Sequence, residues 1–232
     1  MVKEINFNSE MHIQHRWDLT PKEATQLQNK LASHISLEDT GQRFTTVAGI
    51  DVSYTLSENK AHAAIVVCAM DTLDIIEEQT AAMPITFPYI PGLLSFREVP
   101  VILKACNKLS IFPHLLVCDG QGIAHPRRLG LACHLGLYLD KPAIGVAKKR
   151  LTGAHRQLGI HKGNWTYLKA GDEKIGIVFR SRKKVKPIYI SPGHKISMNR
   201  ALSLIRRMHT VYRLPQPIRY AHRLANESKG II

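Results

Sequence analysis

Three carboxylates stand in settings that suit a divalent metal. Asp51 interrupts the apolar run Val47-Ala-Gly-Ile-Asp51-Val-Ser. On a strand Ile50 and Val52 point one way, so Asp51 points the other. An acid inside an apolar strand is costly unless paired or metal-bound, although the solvent face of an edge strand would also accept it. Asp119 ends Leu115-Leu-Val-Cys-Asp119 and opens Gly120-Gln-Gly122-Ile-Ala-His125-Pro126. Strand C-termini are where open α/β sheets bind ligands, and glycines let backbone approach one closely; an aspartate capping a turn reads the same way. Glu98 closes Ser95-Phe-Arg-Glu98, which is compatible with a metal site at a helix start and equally with a capping box. Two further groups could assist. His194, in Ser191-Pro-Gly-His194-Lys, suits a general acid or base at a strand edge, or a surface loop. Lys148, after Ala143-Ile-Gly-Val-Ala147, could meet a phosphate or be one more solvated lysine of Lys148-Lys149-Arg150.

Carboxylates are the hard oxygen ligands that Mg²⁺ and Mn²⁺ select, and such ions both neutralise phosphate oxygens and make water nucleophilic. Competing chemistries lack their signatures. The chain has no HExxH or CxxC zinc pattern, no GxGxxG, no GxxxxGK[ST] and no GxSxG. Charge points to a polyanionic partner. Residues 1–147 carry 12 Lys/Arg against 15 Asp/Glu, whereas residues 148–232 carry 20 against 3. A region of net +17 attracts nucleic acid or, less often, an anionic membrane face, unless it is only a solvated surface.

These groups need a scaffold. A chain of 232 residues that is 44% hydrophobic can bury one core, and no linker or repeat divides it, so one domain over 1–232 is expected. Thr20-Pro-Lys-Glu23 predicts a capped helix with Ala24, Leu27, Leu31 and Ile35 on one face, closed near Gly41. Strand patterns follow at Thr46–Leu56, Ala61–Met70 and Leu73–Met83, with links short enough for antiparallel neighbours. After a Pro-rich loop, Pro84 to Gly92, a helix is expected over Phe96–Leu109, with Pro100 in its first turn. Strand His114–Cys118, helix Arg128–Leu139 and strand Pro142–Val146 then read as a parallel βαβ unit. The basic half offers strands at Trp165–Ala170, Ile175–Arg180 and Pro187–Ile190, and helices at Met198–Tyr212 and Ile218–Asn226. The expected fold class is α/β, a ribonuclease H-like mixed sheet flanked by helices. By analogy with that fold, the first and fourth strands are neighbours and bring Asp51 beside Asp119. Ala63–Met70 is too short to span a bilayer, and Met-Val-Lys-Glu-Ile-Asn lacks a secretory signal region. Cys68, Cys106, Cys118 and Cys133 sit singly among apolar residues and read as free thiols of a reducing, cytoplasmic compartment.

Taken together, these segments resemble the endonuclease V family. They are Val47–Ser53, Phe87-Pro-Tyr-Ile-Pro-Gly-Leu-Leu-Ser-Phe-Arg-Glu98, Val117-Cys-Asp-Gly-Gln-Gly-Ile-Ala-His-Pro-Arg127, Pro142–Lys148 and Ser191–His194, in the family's order. The resemblance implies a Mg²⁺-dependent endonuclease of DNA repair, with Mn²⁺ substituting, that recognises deaminated bases, chiefly hypoxanthine. It cuts the second phosphodiester 3′ to the lesion and leaves 3′-hydroxyl and 5′-phosphate ends. By motif position, Asp51 and Asp119 match its metal ligands and Glu98 its third catalytic acid. His194 matches its active-site histidine and Lys148 a lysine near the scissile phosphate. Pro88-Tyr89-Ile90-Pro91 match a wedge beside the lesion, and Gly92, Leu94, Gly120, Gly122 and His125 fall among the nucleic-acid-binding positions, the glycines and Leu94 lining the base pocket. The physics favours the wedge: prolines stiffen the loop, an aromatic tip replaces lost stacking, and a damaged base is the cheapest to extrude. The expected partner is damaged DNA, bound by a monomer. Two other readings stand beside it: an inosine-specific endoribonuclease, and a non-catalytic nucleic-acid-binding module.

Overall fold

A computed structural model describes residues 15–230, so the reading of the first six residues falls outside it. The first helix, α1 (Pro21–Ala32), begins as its sequence predicts: Thr20 and Glu23 form a reciprocal capping box, and proline occupies the first turn. Strands β1 (Thr46–Thr55), β2 (Lys60–Ala69) and β3 (Ile75–Pro84) form an antiparallel meander. Helix α2 (Leu94–Cys106), β4 (Leu115–Cys118), α3 (Leu131–Tyr138) and β5 (Ala143–Ala147) follow. Then come β6 (Trp165–Ala170), β7 (Glu173–Phe179), β8 (Ile188–His194), α4 (Met198–Arg207) and α5 (Gln216–Glu227). All eight strands join one sheet in the order β3-β2-β1-β4-β5-β8-β7-β6. β4 is parallel to β1 and to β5, and β8 returns antiparallel to β5. This is the mixed, helix-flanked sheet of the ribonuclease H-like fold.

Alternate residues of the central strands feed two cores. Ile50, Leu116 and Cys118 pack with Val99 and Ile102 of α2 and Leu135 of α3. Val47, Leu115 and Val117 pack on the opposite face with Ile205 of α4 and Ile218 of α5. Ile50 and Asp51 therefore point to opposite layers, as the strand period requires. Among the described residues no helix is long and apolar enough to cross a membrane.

Several boundaries differ from the sequence reading, each for a local reason. β3 starts at Ile75 rather than Leu73, and α3 at Leu131 rather than Arg128; Leu73 (φ 65°) and Arg128 (φ 57°) adopt the left-handed conformation, which suits a turn and neither a strand nor a helix. α4 ends at Arg207, not Tyr212, where His209 bonds the carbonyls of Ile205 and Arg213 and turns the chain. The Ser95–Glu98 capping box does not form. Leu93 is the N-cap of α2, Ser95 already lies inside the helix, and Pro100 sits in its interior rather than its first turn. β8 runs on through Pro192 to His194, with a register irregularity opposite the proline that tolerates the missing donor.

Candidate active site

The site forms where β1, β4 and β5 meet α5 on one side and α2 on the other. The amide of Asp119 donates to the carbonyl of Ile50 (2.9 Å), so the aspartate leaving β4 lands beside Asp51 of β1. Asp51 shares its strand face with Gly49 and Ser53, and both touch α5. A Cβ on Gly49 would lie 2.0 Å from the Pro217 carbonyl oxygen, and Ser53 Oγ donates to the Ala225 carbonyl at 2.5 Å. Helix α5 thus lies directly on β1 and lowers His222 onto the acid: Nδ1 is 2.5 Å from Asp51 Oδ2. One ligand atom from each of Asp51, Asp119 and His222 lies within 4.8 Å of the others. Lys148, just past β5, reaches Asp119 Oδ2 at 2.5 Å. Burial raises the Asp51 pKa, and the nearby Asp119 charge raises it further. Two carboxylates and an imidazole form an oxygen- and nitrogen-donor set that Mg²⁺ or Mn²⁺ fits, and the group contains no thiolate to favour a softer ion.

Glu98 arrives from α2, one step behind this cluster. It accepts from the Tyr54 hydroxyl at 2.7 Å, and that contact, not a helix cap, is where its carboxylate goes. Burial drives its pKa up to about 8, with Asp51 and Asp119 adding to the rise against the Tyr54 hydrogen bond. The unfolded chain has the ordinary carboxylate value, so folding without a cation favours protonated Glu98. That contribution is fully present below about pH 4.5 and is lost as pH rises through about 8. Glu98→Gln, which cannot ionise, is therefore expected to melt higher than the parent protein at pH 9 in a chelating buffer, and to lose that advantage at pH 4. A thermal melt at the two pH values checks this; equal shifts at both would sink it.

A cavity of about 480 Å³ opens beside Asp119 and Lys148. The wedge loop supplies Tyr89, Ile90, Pro91, Gly92 and Leu94 to its wall, and Gly120, Gln121 and His125 line it from behind. Pro88 is exposed and lies outside the lining. Tyr89 projects, 72% exposed, while the loop's far end is pinned. The Gly92 carbonyl accepts from Gln28 Nε2 (3.0 Å), His125 Nε2 (3.0 Å) and Arg127 Nη2 (2.9 Å). His125 is thus a strut for the loop, with its pKa lowered to about 4 chiefly by burial. Gly122 departs from expectation. It does not line the cavity: its amide donates to Ser191 Oγ (2.8 Å), and a Cβ would meet the Pro192 carbonyl at 2.0 Å. Its lack of a side chain serves contact with β8, and its N–H is not free to read a base. The Gly120 amide is likewise engaged, by the Cys118 carbonyl.

His194 does not share this site. β8 is antiparallel to β5, so its last residue pairs with Ala143, whereas Lys148 follows Ala147 at the other end of β5. Four residues of strand, roughly 13 Å, separate the two ends. The ring is buried, accepts from the Ser36 amide at Nδ1 (3.3 Å) and faces Asp140 Oδ1 at 3.4 Å. It fastens the segment after α1 to β8. His194→Ala is expected to lower the melting temperature by a few degrees, about 1–2 kcal/mol for a lost buried polar contact, while metal-dependent turnover by the folded protein persists. Loss of turnover with an unchanged melt would reverse that assignment. The histidine that the sequence reading missed is His222. Its one signal is placement beside the buried stripe Ile218, Ala221 and Ala225 of α5, and that stripe does not say which strand it will cross.

A basic groove of about 490 Å³ continues from the cluster, lined by Lys148, Arg182, Arg213, Arg219, His222 and Arg223. The sequence profile of the family described as Endonuclease V matches residues 29–223. The Endonuclease V of Rippkaea orientalis is 48% identical over 211 residues, 91% of this chain and 92% of its own length. The crystal structure of the Endonuclease V from Streptomyces avermitilis is similar with a TM-score of 0.88 at 38% identity, covering 94% of this chain and 96% of that one. Endonuclease V from Ciona intestinalis, solved with a 24mer DNA containing an inosine followed by a ribo-adenosine, has a TM-score of 0.80 at 27% identity, with 91% of this chain and 98% of that one covered.

Proposed function

The chain belongs to the endonuclease V family, whose members are endonucleases, and from that premise we propose a Mg²⁺-dependent repair enzyme for deaminated bases, chiefly hypoxanthine. It hydrolyses the second phosphodiester 3′ to the lesion, leaving 3′-hydroxyl and 5′-phosphate. The observation that carries the reading is the convergence of Asp51, Asp119 and His222 within 4.8 Å, beside a base-sized cavity under an exposed tyrosine. Asp51, Asp119 and His222 hold the ion. When bound, Mg²⁺ neutralises the phosphate's non-bridging oxygens and lowers the pKa of water. Glu98, protonatable and hydrogen-bonded to Tyr54, orients that water or takes its proton. Lys148 holds Asp119 in place and puts a positive charge at the edge of the groove, where the phosphate passes. The groove arginines take the backbone beyond the cut. Residues 15–230 act as one domain and as a monomer, in the cytoplasm, where four buried, unpaired cysteines are stable. Mn²⁺ substitutes for Mg²⁺.

Nicking of a duplex with one deoxyinosine, in Mg²⁺ and in chelator, tests the proposal. A single cut one nucleotide beyond the lesion's 3′ neighbour bond supports it, and no cut in either Mg²⁺ or Mn²⁺ overturns it. The Ciona relative's DNA carries a ribose after the inosine, which keeps an endoribonuclease reading in play. A matched RNA substrate in the same assay decides between them. Tyr89→Ala is expected to weaken binding to the inosine duplex by about 1–3 kcal/mol, the worth of one stacked aromatic, with cation-induced stabilisation of the protein unchanged. Unchanged lesion selectivity in that variant would remove the wedge role.

A further inference from the structure

Ser95 lines the cavity beneath the wedge loop, and its hydroxyl ends a hydrogen-bond chain whose direction is set from the outside. His15 Nδ1 lies 2.8 Å from the Arg16 carbonyl, which can only accept, so Nδ1 carries a hydrogen. Burial lowers the pKa of His15 and takes that of His134 to about 3, so both rings are neutral at pH 7. A neutral His15 with its hydrogen on Nδ1 offers only a lone pair at Nε2. That lone pair meets Nε2 of His134 at 2.8 Å, so His134 donates from Nε2 and keeps a lone pair at Nδ1. Ser95 Oγ, 2.9 Å from this Nδ1, must give it the hydroxyl hydrogen. Trp17 and Phe96 pack around the His134 ring and hold it in this orientation, with centroids 5.2 and 4.9 Å away.

We infer that Ser95 is a specificity-determining residue: its hydrogen committed to His134, the hydroxyl offers the cavity an acceptor only and selects bases that carry a hydrogen on the ring nitrogen beside the exocyclic group. Deamination creates that hydrogen. It turns the amidine N=C–NH₂ of adenine, guanine or cytosine's reading edge into a lactam or oxo group, and N1 of adenine, a lone pair, becomes N1–H of hypoxanthine. A free serine would rotate and donate to adenine N1 equally well. The His15–His134 relay removes that freedom, so adenine meets lone pair against lone pair. The inference rests on the reading that the cavity receives a deaminated base.

Single-turnover nicking with Ser95→Ala tests it, on duplexes carrying inosine or nebularine; nebularine keeps the N1 lone pair and has no 6-substituent. The expected result is a loss of roughly tenfold in rate on inosine with nebularine unchanged, the effect of one hydrogen bond made to the N1–H. Equal losses on both substrates overturn the inference. His15→Phe breaks the relay at its half-exposed end and keeps the hydroxyl, and it is expected to raise nicking of nebularine relative to inosine; an unchanged ratio counts against the relay. The parent protein provides a check that needs no variant. Ring ¹⁵N spectra should show His134 protonated at Nε2 and bare at Nδ1, and the opposite tautomer overturns the inference. If the parent protein leaves inosine uncut, the base-cavity reading fails; if it cuts inosine and Ser95→Ala loses equally on both substrates, only the serine's role fails.

Discussion

Asp119→Ala is expected to reduce Mg²⁺-dependent nicking of an inosine duplex by about 10³-fold, and Asp51→Ala by a similar factor. Each removes one of two carboxylates whose atoms, with His222, lie within 4.8 Å of one another. A metal that neutralises a phosphodiester transition state contributes several kcal/mol, and about 4 kcal/mol corresponds to about 10³ in rate. Loss of stability is not the cause. In the metal-free fold the two acids repel: burial and the charge of Asp119 both raise the Asp51 pKa. Removing Asp119 relieves that repulsion but strips Lys148 of its partner, so the metal-free melt should move little. What disappears is the added stability the parent gains from Mg²⁺ or Mn²⁺, since an ion that binds only the folded state stabilises it by mass action. Calorimetry with and without Mn²⁺, beside the nicking assay, reads both. Full nicking by either variant would end the metal assignment.

Gly49→Ala is expected to damage stability and activity together, although the residue touches no substrate. A Cβ there would sit 2.0 Å from the oxygen and 2.1 Å from the carbon of the Pro217 carbonyl, and 2.7 Å from the Ile218 nitrogen. All three are backbone atoms, so no side chain can swing aside and α5 itself must move. Overpacking of this kind costs about 1–3 kcal/mol, roughly 5–10 °C for a domain of this size at the upper end. His222 rides on the same helix, and its Nδ1 is 2.5 Å from Asp51. A shift of about 1 Å in a positioned group can cost about 10²-fold. Nicking should therefore fall by about that factor under conditions where circular dichroism shows the variant still folded. A variant with native activity and an unchanged melt would mean that α5 does not bear on β1 as described.

Much of the scaffold was legible because its determinants are local. The capping box at Thr20, the alternation through Val47–Ser53 and the short links of the meander each depend on neighbours a few residues away, and the structure reproduces them with shifts of one to three residues. Local patterns erred where a conformation ran against residue type. Leu73 and Arg128 at positive φ, and Pro192 inside a strand, carry no sequence mark. The Ser95–Glu98 pattern misled for another reason: tertiary partners, His134 and Tyr54, claimed both side chains.

The sequence by itself determined Asp51, Asp119 and Lys148 as neighbours, since each lies in or just past a strand of the parallel centre, and fold analogy places such strands side by side. It also determined the wedge, whose prolines and tyrosine are contiguous. Only the tertiary structure decided between the histidines. His194 ends a strand, as Asp119 does, but antiparallel pairing with β5 carries that end to the opposite pole of the sheet. His222 lies 171 residues from Asp51 in the chain and reaches it because Gly49 has no side chain to keep α5 away. Strand direction and helix seating are set by long-range packing, and no local residue pattern encodes which pole or which strand a side chain will meet.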